Sequence, residues 1–381
     1  MRPYGCRGAS RAPTGPLAPD LTRATTFAYA SAEEFRAVGA GEADGEFYPR
    51  YGHPAARAFE SAVAGLEATD GAVSFASGMA TLHALLCAPL GEGAVSVMAR
   101  DVYGGTSALV AEDLPRFGIE VRRFDPFTPG DLERVLDDDV RLVHVETPTN
   151  PLCRVVDVAR TAAAAHACGA LLSVDATFAP PPLQRVGALG ADLVLHSATK
   201  FLGGHSDAMG GIVAGAHAHL QPLEAFRRRT GGVLAPDTAW LLVRSLKTLP
   251  LRVLAASDSA ARLARFLDGK VKRVSYPGLA HHPDHDLAQR QMAGHGSLLA
   301  FEVEGGLAGA TRVYDRFEVI SRAVSLGGTE TTALLPLHSS HAMVPAVERA
   351  RAGIGDGTIR LSVGLEPCEA LERDLARALA G

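Results

Sequence analysis

Lysine is almost missing from this chain. The 37 lysines and arginines include only four lysines, Lys200, Lys247, Lys270 and Lys272. Where a bare cation is needed the sequence writes arginine, so a lysine beside hydroxyl residues, as in Ser197-Ala198-Thr199-Lys200, reads as kept for its amine. An amine forms an imine with a carbonyl; a guanidinium does not. Cysteine is scarce too: Cys6, Cys87, Cys153, Cys168 and Cys368 are odd in number, scattered and without a Cys-x-x-Cys pair. That excludes a disulfide framework or a zinc ribbon and suits a reducing cytoplasm. No apolar run approaches the length of a membrane span. Residues 1–20 are rich in Arg, Pro and Gly and lack an apolar core, so they are not expected to act as a signal peptide. Basic runs are absent and the formal net charge is -5, which argues against nucleic acid or anionic membrane as a partner. Neither an internal repeat nor a low-complexity linker stands out.

What is present suits two domains. The chain has 381 residues, 47% of them hydrophobic, more than one typical domain needs. Residues 1–50 read as an irregular arm with one helix over 31–38, begun by Ser31 as N-cap. The arm ends in Phe47-Tyr48-Pro49-Arg50-Tyr51, an aromatic and cationic stretch suited to docking on another subunit. Residues 51–235 alternate. Short apolar strands are expected at 72–75, 94–98, 119–124, 142–145, 171–174, 192–195 and 211–215, with helices at 55–67, 78–86, 132–136 and 158–168. Strands that are apolar on both faces and separated by helices form a mostly parallel sheet covered on both sides. Over 236–381 the alternation loosens into a smaller α+β domain, with helices at 240–247, 257–267, 309–317 and 371–379 and strands at 298–303 and 360–363.

Polar groups collect at the carboxyl ends of the expected strands: Ser77, Tyr103, Glu146, Asp175 and Lys200. Open α/β sheets bind ligands there. The set asks for a cofactor with an aldehyde, a phosphate and an aromatic ring. Lys200 would hold the aldehyde. Ser197, Thr199 and the backbone amides of Gly78 and Met79, at a helix start after Ser77, would hold a phosphate, with Arg50 adding a charge-assisted contact. Tyr103 would stack on the ring, and Asp175 would pair with a protonated ring nitrogen and keep the ring an electron sink. These are the requirements of pyridoxal phosphate (PLP) chemistry.

The motifs Ser77–Met79 (SGM), Tyr103–Thr106 (YGGT), Glu146–Pro151 (ETPTNP), Asp175–Phe178 (DATF), Ser197–Lys200 (SATK), Gly203–Asp207 (GGHSD), Tyr276–Leu279 (YPGL), Ser325–Thr331 (SLGGTET) and Arg360–Glu366 (RLSVGLE) cover nearly the whole chain in order. In them the sequence resembles the Cys/Met-metabolism PLP enzymes, which include cystathionine γ-synthase, cystathionine γ-lyase, methionine γ-lyase and homoserine-ester sulfhydrylases. The resemblance implies a fold-type-I, aspartate-aminotransferase-like large domain with a mostly parallel seven-stranded sheet, plus the smaller C-terminal domain. It implies a homotetramer, a dimer of catalytic dimers, in which Tyr48 and Arg50 reach the cofactor phosphate of the neighbouring subunit. Thr177 falls among the cofactor contacts. Tyr103 takes part in proton transfer, Arg360 grips the substrate α-carboxylate, and Ser325 with Val324 borders the substrate. The implied reaction is γ-elimination from a small 4-substituted L-amino acid, through a ketimine and a vinylglycine-type intermediate. The alternatives are γ-replacement, a specialised biosynthetic member with an unsaturated amino-acid product, and an inert cofactor-binding scaffold.

Three positions depart from the family pattern: Ala176 for Asn, Ala108 for Arg and Val324 for the Glu of cystathionine enzymes. Small apolar replacements there favour a short, uncharged γ-substituent. Other temptations have plainer readings. His281-His282-Pro283-Asp284-His285 is a loop after YPGL and no metal site is expected. Gly353-Ile354-Gly355-Asp356-Gly357 does not join a strand to a helix and is not a dinucleotide loop. Glu146 reads as a structural contact near the cofactor, and Cys6 and Cys153 as incidental thiols.

Overall fold

The protein is described by a computed structural model covering residues 18–88, 94–342 and 344–380. Cys6, and with it the reading of that thiol as incidental, lies outside the described residues. The arm carries α1 (Ala32–Ala40), whose N-cap Ser31 accepts from the Glu34 amide. After it come α2 (Pro54–Glu67), β1 (Gly71–Phe75) and α3 (Gly78–Cys87). The alternation continues through β2 (Val95–Ala99), α4 (Gly104–Ala108), β3 (Glu120–Phe124), α5 (Asp131–Val135), β4 (Val140–Glu146), α6 (Val158–Ala167), β5 (Leu171–Asp175), β6 (Leu193–His196) and β7 (Gly211–Gly215). Three helices follow, α7 (His217–Thr230), α8 (Pro236–Leu246) and α9 (Leu249–Leu267). The last region holds β8 (Arg273–Ser275), α10 (His285–Gln291), β9 (Leu298–Glu302), α11 (Gly306–Asp315), β10 (Ser321–Arg322), β11 (Thr332–Leu334), α12 (Ala346–Arg351), β12 (Thr358–Ser362) and α13 (Cys368–Leu379).

The first seven strands form one sheet in the order β1-β7-β6-β5-β4-β2-β3. The pairs from β3 through β6 are parallel, and only β7 runs against its neighbours. Residues of β2, β6 and β7 are all buried, as strands covered on both faces must be. The register sets Glu146 beside Asp175, and Asp175 beside Leu195, so the ends of β4, β5 and β6 lie level. Gly211 sits where the turn after β1 crosses β7; a side chain there would collide with the Ser77 carbonyl.

A second, five-stranded sheet, β10-β11-β12-β9-β8, belongs to the smaller domain. Its core is built on Phe301, Ile359, Leu361, Leu371 and Leu375. Helix α9 joins the two cores: Leu249 and Val253 pack into the larger one, Leu263 and Leu267 into the smaller. Helix α7 has no apolar periodicity to announce it. Leu220 and Leu223 pack into the larger core, and the buried Arg227 donates to Glu60 at 2.7 Å and to the Ser74 carbonyl at 2.8 Å.

Candidate active site

The carboxyl ends of β4, β5 and β6 open into a cavity of about 590 Å³ closed on the other side by loops of the smaller domain. A volume of this size suits a small cofactor and its substrate. Twelve of the residues expected at the site line it: Ser77, Gly78, Met79, Tyr103, Asp175, Thr177, Ser197, Thr199, Lys200, Val324, Ser325 and Arg360. Tyr48 and Arg50 do not. Arg50 donates to the Arg228 carbonyl at 2.5 Å and lies over the rings of Tyr48 and Tyr51, away from the chain's own cavity.

Lys200 ends a tight turn after β6. Its amide donates to the Ser197 carbonyl at 3.1 Å, and Ala198, wholly buried, anchors the turn in the core. The Thr199 hydroxyl is spanned by Gly210, giving to its carbonyl at 3.2 Å and accepting from its amide at 3.1 Å. Thus fixed, the Lys200 Nζ donates to the Ser325 Oγ at 2.7 Å. Burial, and after it the nearby Arg360 charge, holds the Lys200 amine below its ordinary value. Ser325 has φ of 78°, a left-handed conformation that costs a non-glycine residue energy. The next turn rests directly on the lysine segment: a side chain at Gly327 would lie 2.8 Å from the Phe201 amide nitrogen.

Arg360 rises from β12 and is buried. It donates to the Asn150 Oδ1 at 3.0 Å and to the Ser325 carbonyl at 2.6 Å, and its Nε is buried without an acceptor. A guanidinium has five N–H donors; with these two used, one remains on each terminal nitrogen, besides the buried Nε–H. Burial pulls its pKa down to about 10, and it stays charged at neutral pH.

The opposite corner is a cradle. Ser77 caps α3 by accepting from the Ala80 amide at 3.1 Å. The Gly78 and Met79 amides open the helix with no acceptor inside it. Gly78 is also the only residue type that fits, because a Cβ there would lie 2.9 Å from the Ser197 Cβ. Asp175 faces the cavity from β5 and accepts from the Thr177 amide at 2.9 Å, while the Thr177 hydroxyl accepts from the Ser197 amide at 2.8 Å. Thr177 therefore aligns Asp175 with the Ser197 turn.

Glu146 does more than its sequence reading suggested. Buried at the end of β4, it accepts from the Tyr103 amide at 2.8 Å and from the Asn150 amide. One carboxyl group thus holds the loop of the Tyr103 ring and, through Asn150, the guanidinium of Arg360. Burial first, and then its neighbour Asp175, raise its pKa well above the usual carboxyl range. Burial raises Asp175 as well. Asn150 stands inside the ETPTNP motif, and nothing in the sequence singles out its side chain as a contact. Ser339, Ser340 and Met209 also line the cavity, and no residue pattern announces them.

The three departures from the family pattern part company in space. Val324 lines the cavity, with 70% of its surface exposed. Ala108 lies on an adjoining cavity. Ala176 is wholly buried in the large core, behind the strand end, so it does not shape the pocket. Gly105 leaves room for the phenol: a Cβ there would lie 2.6 Å from the Tyr103 ring. The histidine-rich loop is structural, since Asp284 pairs with Arg154 at 2.6 Å and His285 bonds the Pro277 carbonyl at 2.8 Å. Among the described residues no cluster of His, Cys, Asp and Glu is arranged for a metal.

Residues 7–380 match the family model of the Cys/Met metabolism PLP-dependent enzymes. The chain belongs to that family. It is 41% identical over 378 residues to an O-succinylhomoserine sulfhydrylase of Pseudomonas aeruginosa, covering 98% of this chain and 93% of that one. It is 39% identical over 370 residues to an L-methionine gamma-lyase of Pseudomonas deceptionensis, covering 96% and 93%. Among solved structures, a cystathionine gamma synthase of Xanthomonas oryzae pv. oryzae superposes with a TM-score of 0.91 at 36% identity, over 96% of this chain and 93% of that one. The residues present fit the family's cofactor: the Lys200 amine, the Asp175 carboxylate and one set of free helix-start amides converge on a single cavity.

Proposed function

We propose that the protein catalyses γ-elimination on a small 4-substituted L-amino acid, with Lys200 as the cofactor-bearing and proton-moving residue. The observation that carries this reading is the Lys200 Nζ, 2.7 Å from Ser325 Oγ, in the same cavity as Asp175 and Arg360. When bound, PLP supplies an aldehyde for the amine and a ring that draws electrons from the bonds at the substrate Cα and Cβ. Gly78 and Met79 amides with Ser77, Ser197 and Thr199 would hold the phosphate end. Asp175, held by the Thr177 amide, would pair with the ring nitrogen and keep it protonated. The free N–H groups on the terminal nitrogens of Arg360 would take the substrate α-carboxylate and so bring Cα to Lys200. The lysine amine, lowered from its ordinary basicity, removes the Cα proton and returns one nearby. Tyr103, on the open side with 47% of its surface exposed, would cover the ring and carry a proton toward Cγ as the substituent leaves. One water is consumed in hydrolysing the unsaturated amine that remains, and the products are the protonated γ-substituent, ammonia and a 2-oxo acid.

Tyr48 and Arg50 sit off the chain's own cavity, and that supports their reaching a second copy's phosphate from the arm, residues 1–50, within a homotetramer. No described helix is long and apolar enough to cross a membrane; together with the scattered cysteines this supports a cytoplasmic enzyme. A second reading, γ-replacement, is favoured by the 41% identity to a sulfhydrylase. Incubation with O-acetyl-homoserine, methionine, cystathionine and a 4-halo amino acid, with and without a thiol, separates the two. Two-oxo acid and ammonia mean elimination; a new thioether amino acid means replacement. Absence of product from every substrate overturns both.

A further inference from the structure

The active-site cavity adjoins a second one, of about 660 Å³, and the two share Tyr103, Asn150, Ser339 and Ser340 as a common wall. Neither serine of this wall has a proton left for a ligand. Ser339 donates its O–H to the Leu335 carbonyl at 2.7 Å, and a carbonyl can only accept. The Ser340 Oγ lies 2.9 Å from Nδ1 of the buried His341. The His341 ring also bonds the main chain of Asn150, where the carbonyl is the acceptor and the ring gives its N–H. Burial, then the charges of Arg360 and Arg349, pulls the His341 pKa down to about 4, so the ring is neutral at working pH. A neutral imidazole has one N–H and one lone pair. With the N–H spent on the carbonyl, the hydrogen-bond network assigns the lone pair to Nδ1, and the Ser340 O–H must point at it. The segment is held in place: the His341 amide donates to the Pro336 carbonyl at 2.9 Å, and a Cβ at Gly104 would lie 2.7 Å from the Ser340 carbonyl oxygen.

The two hydroxyl oxygens therefore form a pair that can accept hydrogen bonds and cannot give them. Asn150 complements the pair. Its Oδ1 accepts from Arg360 at 3.0 Å, which leaves the N–H groups of its amide for a carbonyl. Val324 on the first cavity and Ala108 on the second bring neither donor nor acceptor. A ligand group that matches this wall carries a carbonyl with N–H donors beside it. A methyl in place of the NH2 would leave both serine oxygens without a partner, and a site built for a donor rejects the analogue that lacks it. We propose that Ser339 and Ser340 are specificity residues for the γ-substituent, selecting a carbamoyl-type group over an acyl group of the same shape, and that His341 is the positioning residue that keeps the Ser340 oxygen an acceptor. The inference rests on the γ-reaction reading above and adds the class of substituent.

The test uses two pairs of ligands on the holoenzyme, each pair differing by NH2 against CH3. The reacting pair is O-carbamoyl-L-homoserine and O-acetyl-L-homoserine. The inert pair, with CH2 in place of the γ-oxygen, is L-homoglutamine and L-2-amino-6-oxoheptanoate, titrated through the cofactor's visible band. The wild type should bind homoglutamine about three- to tenfold more tightly than the ketone, the effect of one neutral hydrogen bond. Ser340→Ala should lower that preference, and the carbamoyl-to-acetyl ratio of kcat/KM, by about three- to tenfold, mainly through KM, and Ser340→Thr should restore both. Comparing ratios between variants cancels the difference in leaving-group reactivity of the two esters. Both serines are half-buried, and each variant is first checked for its melting temperature and cofactor band. Equal binding of the inert pair by the wild type overturns the proposal, as does an unchanged preference in the Ser339→Ala/Ser340→Ala double variant. A His341→Leu protein that keeps the full preference overturns the role of His341. If neither ester reacts while the homoglutamine preference is present and falls in Ser340→Ala, the γ-reaction reading fails and the acceptor pair stands.

Discussion

One wall of the active-site cavity is made of strand ends, the other of loops from the smaller domain. On the sheet side, Glu146, Asp175 and the Lys200 turn sit level on β4, β5 and β6, tied by ladder register and by hydrogen bonds to Tyr103, Thr177 and Gly210. On the loop side, Val324 is 70% exposed, Ser325 holds a left-handed backbone, and Ser339 and Ser340 lie between short elements. The contrast separates two tasks. Chemistry needs reacting groups fixed by rigid elements, and choice of substrate can be left to segments that vary without disturbing the sheet. Arg360 is the bridge: it stands on a strand of the smaller domain and grips both Asn150 and Ser325.

If the bridge matters most, Arg360→Leu has the largest effect. Loss of the proposed charged contact to the substrate should lower kcat/KM by about 10²–10³-fold, chiefly through KM, with the cofactor's visible band retained. The same variant removes a positive charge beside Lys200. Because the free amine is the active form, activity is lost as pH falls through the lysine pKa, which burial and Arg360 hold below the ordinary 10.5. In the leucine variant that acid limb should therefore move to higher pH; a limb that stays or moves lower breaks the account of the bridge.

Glu146→Ala comes next. It removes an acceptor from the Tyr103 loop and from Asn150 together, and kcat should fall by about 10–100-fold, the loss of roughly two buried hydrogen bonds. Glu146→Gln keeps an acceptor oxygen and should recover most of the rate. An alanine variant as active as the glutamine variant would show that the sheet wall tolerates slack. Ser325→Ala, on the loop wall, removes one hydrogen bond to the lysine and should cost about 2–10-fold in kcat. The smallest effect is expected at Val324→Ala: little change in melting temperature, since the side chain is exposed, and a shift of only a few-fold in the relative use of substrates. A larger loss at Val324 than at Glu146 would invert the comparison.

The sheet wall was legible in the sequence because short apolar runs ending in Ser77, Glu146, Asp175 and Lys200 carry both the strand signal and the chemistry. The smaller domain was legible as a class, from the strands and helices around 298–303 and 360–363. Its two- and three-residue strands, β10 and β11, are too short for any period to show. Helix α7 escaped because its apolar face is narrow, Leu220 and Leu223 with Phe226, and its third buried position is the ion-paired Arg227. Roles set by direction in space stayed hidden: Ala176 points into the core and Ala108 onto the second cavity, although both neighbour motif residues in the chain. The joint hold of Glu146 on Tyr103 and Asn150 needs three segments brought together, and no local spacing encodes that.

The scarcity of lysine makes the central claim simple to test. Borohydride reduction of the holoenzyme, followed by digestion and mass spectrometry, should place the reduced cofactor on the peptide containing Lys200, and Lys200→Ala should lose the visible band. A label on Lys247, Lys270 or Lys272, or a Lys200→Ala protein that keeps the band and the label, would contradict the account.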